Sequence, residues 1–163
     1  MTGRTPARWK SACLRNARIR QTVPDVYSRA KRSWVMSRVK GKDTLPEVLT
    51  RKYLHAAGLR FRLHDKGLPG TPDIVLPKYR SAIFVHGCFW HHHSKCERAL
   101  LPRQNRAFWR RKISGNVSRD ASQVRDLKRM GWCVHVVWGC ELRTKCAANK
   151  RLNRLIGKIR SKA

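Results

Sequence analysis

Residues 86–96 read His-Gly-Cys-Phe-Trp-His-His-His-Ser-Lys-Cys, four imidazoles and two thiols in eleven positions after an apolar, β-branched run. No other stretch restricts the fold as strongly, because a metal ion held here would pin the loop to whatever element completes its ligand shell. Zinc takes four tetrahedral ligands from Cys and His, and a short loop can fold back to bring Cys88, His93 and Cys96 around one ion. Spacing alone does not choose among His91, His92 and His93. The fourth ligand must come from elsewhere in the chain. Cys140 is best placed, just past a predicted strand. The plainer alternative is a surface His cluster over ordinary buried cysteines.

The 163 residues suit one domain. Lys and Arg number 38 against nine acids, a net charge of +29 that neither folding nor solubility requires. A polyanion is the natural partner. No apolar run approaches the roughly 18 residues of a membrane-spanning helix, which leaves nucleic acid ahead of a membrane surface. The few carboxylates keep the search for chemistry short. No secretory signal opens the chain, and three of the six cysteines have metal-like neighbours, which favours ligation over disulfides. Residues 1–32 lack apolar periodicity and contain Pro6 and Pro24. They are expected to form a mobile, disordered basic extension that touches phosphates, in preference to the mitochondrial transit peptide that their Arg content also resembles. The domain is expected over 33–163.

Within it, Thr44 followed by Pro46 and Glu47 starts a helix predicted over about 45–57, with Thr44 and Glu47 as a capping box. Residues 73–76 and 82–85 are apolar and β-branched around a turn at 77–80, which predicts an antiparallel strand pair. Trp109, Ile113, Val117, Ala121, Val124 and Leu127 recur at helical spacing, giving one long helix over 104–130, bent near Gly115. A buried strand is expected at 133–138. Leu152, Leu155, Ile156 and Ile159 mark a final helix. The order is helix, strand pair, helix, strand, helix: an α/β fold whose economical packing is a mixed sheet flanked by helices.

Asp73 ends the Pro-Gly-Thr-Pro-Asp segment at 69–73 and opens a strand. A lone Asp in such a place usually caps a turn. A Pro-Asp at a strand start, with a partner strand ending about a dozen residues later, also resembles the metal-binding motif of restriction-type nucleases. The second acid and the Lys of that motif are missing. Position 85 is Val85, so only its backbone carbonyl can serve as a ligand there.

Taken together, Pro-Gly-Thr-Pro-Asp at 69–73, His-Gly-Cys-Phe-Trp-His at 86–91, Phe-Trp at 108–109 and Val-Trp-Gly-Cys at 137–140 resemble the very-short-patch-repair (Vsr) endonucleases. Met36-Ser37, Lys42-Asp43-Thr44, Asn116-Val117 and Arg119-Asp120 fit in the same order, and the likeness runs from about Ser33 to Arg143. The resemblance implies a restriction-endonuclease-like fold with a structural zinc held by Cys88, His93, Cys96 and Cys140. It implies two catalytic magnesium ions on Asp73 and the Val85 carbonyl, with Glu47 in the outer shell. His91 would act beside the attacked phosphate, supported by His86. Phe89, Trp90 and Trp109 would wedge into the base stack, although helical spacing alone favours a core role for Trp109, and Met36, Lys112 and Asn116 would lie near the recognised bases.

The implied activity is nicking of duplex DNA 5′ of the thymine in T:G mismatches left by deaminated 5-methylcytosine. Mismatch-repair proteins and a cytosine methyltransferase would be functional associates of a cytoplasmic, nucleoid-associated monomer. The rival reading is a zinc-stabilised DNA-binding protein without catalysis. Asp73 and His91 argue against it, because a binding module needs neither. Cys13, Cys133 and Cys146 match nothing in the family pattern and are expected to be ordinary cysteines.

Overall fold

A computed structural model describes residues 28–94 and 96–161, apart from the Arg29 side chain. The expected extension over 1–32 therefore lies almost wholly outside the described residues. Its last stretch does not, since helix α1 spans Arg29–Ser37 and crosses the boundary placed at Ser33. The remaining helices are α2 (Leu45–Ala56), α3 (Arg106–Arg129) and α4 (Lys145–Arg160). The strands are β1 (Arg62–Leu63), β2 (Ile74–Leu76), β3 (Ser81–His86) and β4 (Cys133–Trp138). They form one sheet in the order β1-β2-β3-β4, antiparallel except for the parallel β3–β4 pair. This is the mixed, helix-flanked α/β sheet expected from the sequence, with α1 and the two-residue β1 added.

The β2–β3 connection is a single 3₁₀ turn over Pro77–Tyr79, closed by Arg80 in the left-handed region. Arg80 also joins the halves of the sheet. Its carbonyl accepts the Cys133 N–H at 2.7 Å and its guanidinium donates to the Met130 carbonyl at 2.7 Å. The end of α3 and the start of β4 are thereby tied to the hairpin.

Strand β3 is central and buried on both faces. Ile83 joins Leu54, Ile74, Leu76, Val137, Leu152, Leu155 and Ile159 beneath α2 and α4, whereas Ala82 and Phe84 pack with Leu127 of α3 on the other face. Each such Leu or Ile stabilises the fold by about 1.5–3 kcal/mol relative to exposure. The alternation along β3 thus fixes which helix covers which face, and both candidate sites lie where β3 ends.

The expected capping box at the start of α2 takes a different form. The Thr44 side chain makes no cap bond to the helix backbone. It donates to Glu47 at 2.7 Å instead, and the other Glu47 oxygen accepts the Asp43 N–H at 3.0 Å. The hydroxyl is turned to donate to the carboxylate, a charge-assisted bond stronger than the neutral one it would accept from a helix N–H. No helix among the described residues is long and apolar enough to cross a membrane.

Candidate active site and metal centre

A cleft of about 500 Å³ opens beside the end of β3, lined by residues that include Glu47, Asp73, Val85, His86, His91 and Asp120. Asp73 lies immediately before β2, and its Oδ2 accepts the Val85 N–H at 2.7 Å. The approach depends on Gly70, whose φ is +76° and whose absent Cβ would lie 2.6 Å from the Gln123 side chain on α3. A larger residue would be strained at that φ and would have to displace the Gln123 side chain. Burial raises the Asp73 pKa above the usual carboxylate range and the nearby Glu47 charge adds to this, while the Val85 bond opposes it. A cation between the two acids would relieve that unfavourable negative charge.

Glu47 is 4% exposed and accepts Arg51 at 3.0 Å. Arg51 also pairs with Asp43 and lies 3.0 Å from His64 Nε2. This ionic knot fixes the start of α2 against the β1 loop, beside Asp73.

The two expected histidines stack, with ring centroids 3.8 Å apart and planes at 7°. His86 is buried, which lowers its pKa to about 4, helped by the charge of His91. It is neutral near neutral pH, so the stack carries at most one positive charge. His91 Nδ1 lies 2.6 Å from Asp120 Oδ2 on α3. A carboxylate only accepts, so Nδ1 carries the proton and Nε2 remains for chemistry. Asp120 was assigned no role from sequence. The scarcity of acids was the signal, since an acid retained among so many Arg and Lys invites a specific partner.

Cys88, His93, Cys96 and Cys140 bring their ligand atoms within 4.8 Å of one another. His93 Nδ1 is 3.7 Å from the Cys88 sulfur and 3.3 Å from the Cys140 sulfur. Those separations suit a tetrahedral ion whose metal–ligand bonds are about 2.0–2.3 Å long. The structure selects His93 from the three consecutive histidines, and its ring stacks on Trp138 at 4.2 Å. Burial pushes the Cys140 thiol up to about 12, with the crowded Cys88 and Cys96 thiols adding to it. Cys140, held against two other thiols, is a poor thiolate unless a cation neutralises it. The donor set and spacing fit a structural metal ion. Of the other cysteines, Cys133 opens β4, Cys146 is exposed on α4 and Cys13 lies outside the described residues.

Among the expected aromatic residues, Trp109 is 8% exposed and packs with Leu101 and Ile113. Phe89 and Trp90 lean on it with ring centroids 5.3 and 6.0 Å away, and Trp90 also lines the cleft. Asn116 donates to the Trp90 carbonyl at 3.0 Å, so it shapes the aromatic loop from within. Lys112 is exposed on α3, as are Met36 on α1 and Phe108 beside Trp109.

A carboxylate and an oriented imidazole in one cleft, on so basic a chain, suit a DNA-cleaving hydrolase, and comparison with known proteins defines the class. The family profile of the DNA mismatch endonuclease Vsr matches residues 24–98. The type II nicking enzyme V.NmeAIP of Neisseria meningitidis is 46% identical over 138 residues, which cover 85% of this chain and 98% of that protein. V.XorIIP of Xanthomonas oryzae, another type II nicking enzyme, is also 46% identical, over 82% of this chain and 98% of its own length. The DNA mismatch endonuclease Vsr of Escherichia coli is 44% identical over 74% of this chain and 77% of its own. The chain belongs to the Vsr family of DNA endonucleases.

Proposed function

We propose that this endonuclease nicks duplex DNA 5′ of the thymine in T:G mismatches that arise from deaminated 5-methylcytosine. The observation that carries the reading is the convergence of Asp73, Glu47, Val85, His86 and His91 on one cleft in a chain of this family. Asp73 and the Val85 carbonyl would hold magnesium, two ions in the full site, with Glu47 in the outer shell. The Val85 N–H already meets Asp73, and in an antiparallel strand the carbonyl of the same residue faces the same edge. Bound magnesium supplies charge neutralisation at the phosphate and an activated water near neutral pH.

The chain's own groups do the rest. His91, with Nδ1 engaged by Asp120, moves a proton at Nε2, while neutral His86 supports its ring by stacking. Phe89 and Trp90 supply a stacking surface beside the cleft, and buried Trp109 backs them. A T:G wobble pair opens more readily than a matched pair, so an aromatic wedge selects it by deformability. Met36 and Lys112 lie near the recognised bases, and Asn116 holds the wedge loop in register. Zinc on Cys88, His93, Cys96 and Cys140 is structural. The enzyme acts as a cytoplasmic, nucleoid-associated monomer, with mismatch-repair proteins and a cytosine methyltransferase as functional associates.

The experiment is to incubate labelled matched and T:G duplexes with the protein, in magnesium or in chelator. The proposal requires one nick, on the thymine strand, only with the mismatch and the metal. Equal cutting of both duplexes would reassign the enzyme to ordinary duplex DNA.

A further inference from the structure

The outer edge of β4 borders a second cleft, about 330 Å³ in volume, that shares no residue with the one around Asp73. Its charged and titratable lining is His135, Glu141, Arg151, Arg154 and Lys158. The single acid is already committed. Glu141 accepts the Trp138 N–H at 2.9 Å and Arg151 Nε at 2.9 Å. Arg151 also donates to the Val136 carbonyl at 2.6 Å. These bonds occupy the Trp138 N–H and Val136 carbonyl of β4 and fix the Arg151 guanidinium beside the cleft. A ligand here is recognised by cationic side chains rather than by the backbone of β4.

The rest of the helix carries the same charge. Lys150, Arg154 and Lys158 succeed one another at four-residue intervals, which stacks them on one face of α4. Like charges at this spacing destabilise a helix, and no Asp or Glu follows Glu141 in the chain to offset them. By contrast, the exposed cations of α3 share their helix with Asp120 and Asp126. A cationic row on a helix with no acid, beside a concave cleft whose one carboxylate is already paired, is built for an external row of anions.

We infer that the α4–β4 cleft is a second DNA site, which binds backbone phosphates through Arg154, Lys158 and Arg151 without reading sequence. Each phosphate neutralised there releases counterions, so the site contributes to the salt dependence of binding and not to the chemical step. Because it shares no residue with the Asp73 cleft, it acts on matched and mismatched duplexes alike.

The test compares the unaltered full-length protein with an Arg154→Gln/Lys158→Gln variant, Gln being a comparable helix former. Affinity for a matched duplex is followed by fluorescence anisotropy across a salt series. Two lost contacts should lower the slope of log K against log salt by about 1.8, from roughly 0.9 per phosphate. Nicking at saturating DNA should stay unchanged. A Lys52→Gln/Lys78→Gln variant removes equal charge from exposed positions outside both clefts and should alter the slope much less. An unchanged slope in the first variant, or equal changes in both, overturns the site. One-to-one binding of inorganic phosphate that the first variant loses while its DNA slope persists would overturn it in favour of a free-phosphate site.

Discussion

An imidazole handles a proton well only in the right tautomer, and the 2.6 Å contact with Asp120 sets that of His91. Asp120→Asn keeps the size of the side chain but can present a donor to Nδ1, which exchanges the protonated nitrogen. Single-turnover nicking should fall about 10²-fold, with DNA affinity and bound zinc retained. Nicking at the original rate would reduce Asp120 to a tether. Asp73 was legible in the sequence because acids are rare and Pro72 precedes it. The roles of Asp120, Arg51 and Gly70 were not, since each acts across elements far apart in the chain. Gly70 shows the reason best: besides its positive φ, it lies against Gln123, on a helix that sequence patterns cannot place beside it.

A metal ion on the Cys/His cluster would clamp the loop after β3 to the turn after β4, because Cys88, His93 and Cys96 come from the first and Cys140 from the second. Parallel pairing of β3 with β4 sets His86 opposite Trp138, which brings the two ends together. Cys88→Ala or Cys140→Ala should lose the metal and lower the melting temperature. Elemental analysis and thermal unfolding check both. Full metal content with unaltered stability would remove those cysteines from the site. Helices α2, α3 and α4 and the β2–β3 hairpin were readable from periodicity and from the turn residues at 77–80. Two elements were missed for physical reasons. β1 has two exposed residues and no apolar pattern, and α1 is charged with an exposed Trp34. The capping box was misread because Glu47 is also the buried partner of Arg51, and that competition is tertiary.

A net charge of +29 gives the whole molecule a long-range pull on DNA that added salt weakens. Residues 1–27 contribute to that charge, and deleting them, with α1 left in place, should flatten the dependence of affinity on salt while nicking at saturating DNA persists. An unchanged slope would exclude them as phosphate contacts. On this account the charge gathers DNA, the metal centre holds the fold and the Asp73 cleft cuts. The most direct test of that division is single-turnover nicking of a labelled T:G duplex by the Asp73→Asn variant, with binding measured on the same duplex. Loss of nicking with affinity and zinc content intact is the predicted result. Substantial nicking by Asp73→Asn would contradict the assignment of the cleft as the catalytic centre.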